Sequence, residues 1–317
     1  MEFKNLKDLI TKFDTEEKCQ DYLIKQGWNG KPSCPFCGFH KAYKIEKGKR
    51  FKCANSQCYK KFSCTVGTVF EKSNIPLTTW FPALYLIASH KKGISSVQLG
   101  KDLGVTQKTA WFMLHRVREA LKDKKSSLLS GTVEVDETYL GKKFRSEYKG
   151  VKEEDLTNRH VMKHVSRGMV MGMVQRGGDL RVKVFTDRNH IEMKEFIKAN
   201  VLPGSNLYTD EANSYKQGLE EFKRGAIVHS VKQFKKGDIH TNTIESFWGV
   251  MKRGIYGIYH QVSYKHLQRY CDEFAYRRNT RTLTDNVRFH VTLSQLQGRL
   301  TYKQLTDGEK AKRQIRG

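Results

Sequence analysis

Apolar residues in the first 121 positions predict helices on both sides of a short β-rich segment. One amphipathic stripe lies near the N-terminus and comprises Phe3, Leu6, Leu9, Ile10 and Phe13. A second helix is predicted around residues 19–24. Side chains alternate about Gly48 over residues 42–53, which indicates a β-hairpin. Residues 77–121 return to the three- and four-residue spacing of helices.

Beyond a polar linker at 122–131, the pattern changes to short strands. Strands are predicted at 133–140, in a hairpin joined at Gly177 and Gly178, at 206–210 and at 226–230. Helices are predicted at 190–200, from about Asn242, and after Ser263. Three strands, a helix, a strand, a helix, a strand and then helices is the element order of an RNase-H-like domain. We therefore predict an α/β fold with an RNase-H-like mixed sheet.

Changes of pattern also predict where the domains begin and end. Four parts are expected: N-terminal helices with a metal ribbon at 1–72, a helical domain at 73–127, the mixed-sheet domain at 128–290 and a basic tail at 291–317. The tail is expected to be flexible after about Leu300.

The charge balance narrows the possible partners. The chain has 58 Lys and Arg against 33 Asp and Glu, a formal net charge of +25. Such an excess favours binding to the phosphate backbone of nucleic acid, although a basic ribosome-associated protein has the same composition. No signal peptide and no run of about 18 apolar residues is found, so we expect no membrane association and a cytoplasmic, nucleoid-associated protein.

Four of the seven cysteines form two closely spaced pairs. Without a secretory signal, such clusters are more typical of metal sites than of disulfides. A CxxC turn lets two thiolates reach one Zn²⁺, and two such turns on a hairpin complete a tetrahedral site. The predicted zinc ligands are Cys34, Cys37, Cys53 and Cys58, with Cys64 or His40 as a possible substitute for one of them.

Residues 95–121 have the pattern of a helix-turn-helix. Ser95 or Ser96 can cap the first helix, and Gly104 lies where the turn needs a positive φ. Leu99, Leu103, Val105, Ala110 and Leu114 are expected to pack the two helices together. The second helix begins with the residues predicted to read DNA, Gln107, Lys108 and Thr109. An ordinary helical hairpin is the alternative.

Three acids lie in elements that an RNase-H-like sheet brings together. Asp136 is in the middle of the first strand, Asp210 ends the fourth, and Glu245 lies in the first turns of a late helix. Phosphodiester cleavage by two metal ions needs acidic ligands that converge in this way. Most single acids at strand ends are turn or cap residues, and Glu134, Glu137, Glu211 and Asp238 also lie nearby. Glu134 shares a strand face with Asp136, so it is the main competitor or helper.

Helical periodicity supports Glu245. Ile244, Trp248 and Met251 form a predicted buried stripe, and Glu245, Gly249 and Lys252 form the adjacent one. Lys252 and Arg253 are therefore expected to reach DNA phosphates. In the following helix, Leu267, Tyr270, Cys271 and Phe274 form the packing stripe. The arginines expected to be available to DNA there are Arg269, Arg277, Arg278 and Arg281.

At these residues the chain resembles the DDE transposases of insertion sequences, in the ISXO-like group that carries an N-terminal zinc ribbon. The segments VEVDETYLGKK, LYTDEANSY and HTNTIESFWGVMKRG are similar to the signature blocks of that group, and CPFCG and SSVQLGKDLGVTQKTAWFMLHRVRE to its DNA-binding half. The resemblance covers about residues 20–290. It implies a catalytic set of Asp136, Asp210, Glu245 and Lys252, to which Asn242 belongs by position. Whether Asn242 or Glu245 contacts metal more directly stays open.

The resemblance also implies a reaction. Two Mg²⁺ (or Mn²⁺) ions, bridged by Asp136 and completed by Asp210 and Glu245, would serve DNA cleavage to a 3′-hydroxyl and its transfer to target DNA. Double-stranded DNA, at transposon ends and target, is the expected partner, bound by a homo-oligomer. Residues 144–157 exceed the group's usual connector, which leaves roles for Arg159 and His160 open. A non-catalytic DNA-binding regulator and an RNase-H-like nuclease without strand transfer are the rival hypotheses.

Overall fold

A computed structural model describes residues 2–46, 50–122, 127–140, 168–185, 189–210, 217–227 and 238–307. Its internal contacts divide the chain into two compact units. The first comprises Met1–Leu121 together with Thr282–Gly317, and the second is Lys122–Arg281. The predicted boundaries at residues 72 and 290 both fall inside the first unit, and the four-part division remains a prediction.

The first unit contains helices around a small antiparallel sheet. Its elements are α1 (Leu6–Lys12), α2 (Glu16–Trp28), β1 (Ala42–Ile45), β2 (Arg50–Cys53), β3 (Lys61–Phe62), α3 (Leu77–Ser89), α4 (Ser96–Leu103), α5 (Gln107–Ala120), α9 (Asp285–Ser294) and α10 (Tyr302–Asp307). Side-chain caps start several of the helices: Asn5 accepts from the N–H of Asp8, and Thr15 from that of Lys18. These caps satisfy backbone donors that the first turn of a helix leaves unpaired.

Helix α9 packs within the first unit, although the mixed-sheet domain is predicted to extend to residue 290. Phe289 is fully buried, and its ring lies 5.3 Å from that of Phe3, 5.8 Å from Phe81 and 6.4 Å from Phe13 (centroid distances). Burial of this aromatic cluster holds the C-terminal helix in the first unit. Its partners lie about 200 or more positions away in sequence, which helical periodicity alone does not reveal.

The chain after Leu300 is also more ordered than expected. Arg116 donates from Nε to the carbonyl of Leu300, at 3.1 Å, and from Nη2 to the carbonyl of Glu71, at 2.7 Å. Helix α10 follows at once, and residues 308–317 lie outside the described part of the chain. The prediction of a flexible tail from Leu300 is therefore wrong for the first turns after it.

The second unit is a mixed sheet with helices. Its elements are β4 (Thr132–Leu140), β5 (Gly168–Gln175), β6 (Leu180–Phe185), α6 (His190–Lys198), β7 (Asn206–Asp210), β8 (Lys223–Ile227), α7 (Asn242–Gly254), a π-helical turn (Ile255–Tyr259) and α8 (Tyr264–Asn279). Among the described residues the strand order is β6-β5-β4-β7-β8. The first three strands are antiparallel neighbours, whereas β7 runs parallel to β4 and β8 parallel to β7.

Alternation of side chains gives this sheet two buried faces. Val133 and Val135 point into a core completed by Met193 and Ile197 of α6. The residues between and beyond them, Glu134 and Asp136, therefore lie on the opposite face. That face packs against α7 and α8, with a core that includes Val170, Val174, Ile244, Trp248 and Phe274.

Two strand-level expectations differ from the structure. The strand predicted at 226–230 runs instead over Lys223–Ile227, and residues 228–230 lie outside the described part. The helix expected between the last two strands is not seen at 217–222, which form turns, while residues 211–216 are not described. Gly218, with φ of +78°, is a residue that favours a turn over a helix.

The packing stripe predicted for α8 is confirmed, since Leu267, Tyr270, Cys271 and Phe274 are all buried. One of the arginines expected to reach DNA is not available. Arg277 is buried and donates from Nη2 to Glu273 Oε1 at 2.6 Å, because a charge on this face of α8 needs a partner. In the described parts of the chain, no helix is both long and apolar enough to cross a membrane.

Candidate active site

Asp136 lies at the centre of the mixed sheet. The segment TVEVDETYL is rich in β-branched residues, which favour a strand, and β4 has hydrogen-bonded neighbours on both sides. Asp136 pairs with Gly172 of β5 and is half-buried. The predicted position of Asp136 in the middle of the first strand is thus what the structure has.

The parallel pairing of β4 and β7 makes neighbours of the strands that carry Asp136 and Asp210. The paired residues are Thr132 with Asn206, Val133 with Leu207 and Glu134 with Tyr208. Asp136 and Asp210 each lie two residues beyond the last of these pairs, in the same direction along the two strands. If the register continues, the two predicted acids are level with each other on adjacent strands, which are about 4.8 Å apart.

Glu134 holds the helix that carries Glu245. Helix α7 begins without a side-chain cap from its own N-cap residue, Thr241. Instead, Glu134 Oε2 accepts from the backbone N–H of Thr243 at 2.8 Å and of Ile244 at 3.1 Å, and Thr243 Oγ1 donates to Oε1 at 2.9 Å. A carboxylate at a helix N-terminus also interacts favourably with the helix dipole. Glu134 thus caps α7 from the sheet.

The charge of Glu134 is matched by Arg176. The Glu134 side chain is fully buried, and Arg176 Nε lies 2.7 Å from its Oε1. Arg176 Nη2 also donates to the carbonyl of His240 at 3.1 Å, just before α7, and the guanidinium lies over the ring of Tyr208 at 5.1 Å. With its oxygens engaged in this way, Glu134 is a structural anchor. These contacts favour a structural role for Glu134 over the role of a metal ligand.

Trp248 connects α7 directly to Asp136. Its indole Nε1 donates to Asp136 Oδ2 at 3.0 Å. The ring fits because residue 172 is glycine: a Cβ there would lie 2.8 Å from two ring carbons of Trp248 and from Cδ1 of Ile244. Since real Cβ atoms do not approach that closely, the absence of a side chain at the residue paired with Asp136 is what lets the helix lie on the strand.

The other predicted residues lie along α7. Ile244, Trp248 and Met251 are buried, as the periodicity predicts. Glu245 is exposed, three residues before Trp248, and its Oε1 accepts from Thr241 Oγ1 at 2.7 Å. Asn242 and Arg253 are exposed as well, and Lys252 is half-buried. Residue 211 and residues 159 and 160 lie outside the described part of the chain.

Sequence reasoning missed three members of this region. Trp248 was predicted only as a packing residue, although an indole N–H on a buried stripe usually needs an acceptor. Arg176 and Gly172 were not among the residues predicted for the site. A lone glycine inside a strand signals close approach of another element. Of these three residues, Gly172 is therefore the one whose role could have been predicted from the sequence.

The four predicted zinc ligands come together in the first unit. One sulfur from each of Cys34, Cys37, Cys53 and Cys58 lies within 4.8 Å of the others, with Cys34 and Cys58 3.8 Å apart and Cys37 and Cys53 3.6 Å apart. Tetrahedral zinc with Zn–S bonds of about 2.3 Å requires sulfurs about 3.8 Å apart. The backbone N–H of Asn55 donates to the sulfur of Cys53 at 3.4 Å, a contact that orients a ligand. Neither Cys64 nor His40 belongs to the cluster.

The pKa values of these thiols differ. For Cys34, burial acts to raise the pKa, but hydrogen bonds from the backbone N–H groups of Phe36 and Cys37 outweigh it and lower the pKa to about 7. Burial raises the pKa of Cys64 to about 12. Burial also raises the pKa of Cys53 to about 12, so it is the position of the sulfurs and not the pKa that sets the four-cysteine cluster apart from Cys64.

Replacing Cys53 with Ser is expected to reduce the zinc content of the purified protein from about one ion per chain to near zero, because three sulfurs leave the tetrahedron open. Metal analysis after dialysis measures this directly. Cys64→Ala is the matched control, since it removes a nearby buried thiol that is not a ligand. Equal loss of zinc in both variants would show that the ligand set is different.

Helices α4 and α5 form the pair expected from the sequence. Ser95 caps α4, and Gly104 has φ of 65° at the turn. Of the residues predicted to pack the pair, Leu99, Ala110 and Leu114 are buried, whereas Leu103 and Val105 are half-buried. Gly100 is also required, since a Cβ there would lie 2.9 Å from the carbonyl oxygen of Val105.

The N-terminus of α5 presents the residues predicted to read DNA. Gln107 and Lys108 are exposed, and Thr109 is half-buried. Gln107 Nε2 donates to Ser96 Oγ at 2.8 Å, and the hydroxyls of Thr106 and Thr109 lie 2.9 Å apart. Lys108 lies over the ring of Tyr302. These local contacts hold the side chains at the N-terminus of α5 in defined positions.

Comparison with known proteins identifies family matches for the mixed-sheet unit and for the four-cysteine cluster. Residues 128–279 match the family model of the ISXO2-like transposase domain, and residues 14–61 match that of the transposase zinc-ribbon domain. The mixed sheet and the four-cysteine cluster lie within the matched segments. They define a transposase with a DDE-type domain and a zinc ribbon. The chain therefore contains an ISXO2-like transposase domain and a transposase zinc-ribbon domain.

A curated relative of the chain is also a protein of a transposable element. The chain is 27% identical over 278 residues to an uncharacterized protein in transposable element ISH50 of Halobacterium salinarum. The alignment covers 85% of this chain and 92% of the relative. The similarity therefore extends beyond the two matched domains taken separately.

Proposed function

We propose that the chain is the transposase of an insertion sequence, which cleaves DNA at the element's ends to give a 3′-hydroxyl and joins that hydroxyl to target DNA. The observation that carries the proposal is the register of β4 and β7, which aligns Asp136 with Asp210, together with the Trp248 contact that ties Asp136 to the helix of Glu245. In this proposal the acids of these three elements converge on divalent metal, as phosphodiester cleavage of this kind requires.

The residues fit Mg²⁺ or Mn²⁺. Carboxylate oxygens are the ligands that these hard cations prefer, and the proposed ligands Asp136, Asp210 and Glu245 supply only oxygen. Two such ions, when bound, supply activation of the attacking hydroxyl and stabilisation of the charge on the phosphate. Asn242, one turn before Glu245, offers a further oxygen.

The chain's own side chains divide the remaining work. Trp248 fixes the orientation of the Asp136 carboxylate by donating to one of its oxygens. Glu134 and Arg176 fix where α7 begins, and so where Glu245 lies. Lys252 and Arg253, two turns further along α7, hold the scissile strand through its phosphates.

DNA is held by the first unit in this proposal. Helices α4 and α5 act as a helix-turn-helix in which Gln107, Lys108 and Thr109 contact base edges at the transposon end. Because two ends must be joined to one target, the active species on DNA is a homo-oligomer. The net charge of +25 favours the association.

A strand-transfer assay tests the function. A duplex carrying the end of the element, pre-cleaved to expose its 3′-hydroxyl, is incubated with the protein and a target plasmid, with Mg²⁺ or Mn²⁺. The end sequence is taken from the DNA flanking the gene. Joined products are expected with metal and are expected to vanish when the donor carries a 3′-dideoxy end, because transesterification needs that hydroxyl as nucleophile.

The outcomes separate the rival hypotheses. Nicking without joining would identify a nuclease and contradict the proposed strand transfer. Specific binding of the end duplex with neither nicking nor joining would identify a DNA-binding regulator. Products formed equally from the dideoxy donor would mean that the joining does not proceed through the 3′-hydroxyl.

A further inference from the structure

The small sheet of the zinc ribbon has one buried face and one open face. Phe51 and Phe62 lie on the buried face, stacked 5.6 Å apart, and Trp28 of α2 packs edge-on against both, at 6.0 and 5.9 Å. On the opposite face, the pairing of strands places Tyr43 beside Lys52 and Lys52 beside Lys61. Tyr43 is 54% exposed.

Aromatic rings and ammonium groups alternate across the open face. Lys52 Nζ lies 5.0 Å from the centre of the Tyr59 ring, and Lys41 Nζ lies 5.9 Å from that of Tyr43. Tyr59, like Tyr43, is 54% exposed. We define the open face as Lys41, Tyr43, Lys52, Tyr59 and Lys61.

The charge of the segment indicates an anionic partner. Between Lys31 and Cys64 the only acid is Glu46. The basic residues of the same segment are Lys31, Lys41, Lys44, Lys47, Lys49, Arg50, Lys52, Lys60 and Lys61. Lysines by themselves are enough to bind the phosphates of duplex DNA. Exposed tyrosine rings between the lysines also offer a surface on which bases can stack. Bases paired in a duplex expose only their edges and do not use such a surface.

We infer that the open face binds unpaired nucleotides of single-stranded DNA, with bases stacked on Tyr43 and Tyr59 and phosphates contacted by Lys41, Lys52 and Lys61. This inference rests on the proposed function, since strand cleavage creates DNA ends that can unpair. A sheet surface that presents aromatic rings among cations is a general solution for single strands, because every base has a π-face.

The inference is tested by fluorescence anisotropy with the full-length, zinc-loaded chain and no other divalent ion. The probes are a labelled oligonucleotide of about 20 nucleotides, longer than a typical single-strand site, and the duplex of the same sequence. A variant with Tyr43→Leu and Tyr59→Leu is expected to lose about tenfold or more in single-strand affinity, and about twofold or less in duplex affinity. The pair Tyr43→Phe and Tyr59→Phe is expected to bind like the wild type, because it keeps both rings.

Phe36→Leu is the matched control. Its ring lies 5.0 Å from Lys60 Nζ, so it has the same kind of aromatic–lysine contact. Lys60 lies just before β3, and neither Lys60 nor Phe36 belongs to the open face as defined. Phe36→Leu is expected to leave single-strand affinity unchanged. Lys52→Ala is expected to reduce the salt dependence of single-strand binding by about 0.7 in log–log slope.

A local readout completes the test. A single strand containing 5-iododeoxyuridine, irradiated in the complex, is expected to crosslink to peptides that contain Tyr43 or Tyr59. Equal losses on single strand and duplex, no loss in the leucine variant, an equal loss in Phe36→Leu, or crosslinks confined to other regions would each overturn the inference. DNA cleavage is not read in these measurements, so their failure is distinct from failure of the proposed strand transfer.

Discussion

An Asp136→Asn variant is expected to lose metal-dependent DNA cleavage by at least about 10³-fold, equivalent to about 4 kcal/mol of transition-state stabilisation. Asparagine has the same shape and keeps an oxygen that can accept from the Trp248 indole, so the contact between β4 and α7 is preserved. What it removes is the negative charge that would hold a divalent ion beside Asp210. Nicking of a labelled end duplex gives the rate, and circular dichroism confirms the fold.

Glu192→Gln is the control for this experiment. Glu192 is an exposed acid in the first turn of α6, so its substitution removes the same charge elsewhere in the unit. It is expected to cleave at the wild-type rate. Binding of Mn²⁺, followed by electron paramagnetic resonance of the free ion, is expected to weaken in Asp136→Asn alone. Cleavage by Asp136→Asn within about tenfold of wild type, less than removal of a metal ligand should cost, would exclude Asp136 as a required ligand.

A Glu134→Ala variant is expected to lose about 3–5 kcal/mol of unfolding free energy, the cost of removing one partner of a buried ion pair. The substitution leaves Arg176 without its carboxylate and the first N–H groups of α7 without their acceptor. Denaturant unfolding of the full chain measures the loss. Cleavage is expected to fall as well, since Glu245 lies in the first turn of the released helix.

A double-mutant cycle with Arg176→Ala separates the ion pair from the helix cap. If the pair dominates, the double variant is expected to be little worse than either single variant, so the coupling energy should approach the cost of one single substitution. If the cap dominates, Arg176→Ala alone is expected to cost much less than Glu134→Ala. A Glu134→Ala protein as stable as wild type would contradict the anchoring role altogether.

The sequence predicted the elements of the site better than their connections. Asp136 and Glu245 lie where alternation in VEVDETYL and the stripe of α7 indicated, because a strand and an amphipathic helix both leave clear periodicity. Alignment of Asp210 with Asp136 depends on parallel pairing between strands 74 residues apart, as for Thr132 and Asn206. Such pairing leaves no local signal in the sequence. It could be predicted only from the order of the strands and helices.

Long-range packing explains most of the remaining differences. Helix α9 has a helical pattern, but nothing in that pattern says that Phe289 will meet Phe3 rather than the sheet. The roles of Glu134 and Arg176 depend on a contact with the start of α7, so their residue types alone suggested surface charges or metal ligands. The zinc ligands were predictable as a set because their spacing is itself the constraint.

The cap that Glu134 provides for α7 also bears on protein synthesis. Ile244 emerges from the ribosome 110 residues after Glu134, which at about 5–20 residues per second takes about 5–20 s. Until then the nascent β4 carries an acid that has at most Arg176 as a partner, because the N–H groups of α7 do not yet exist. Shortened products of an interrupted gene that end before residue 241 would therefore be poor folders and targets for proteolysis, rather than partial enzymes.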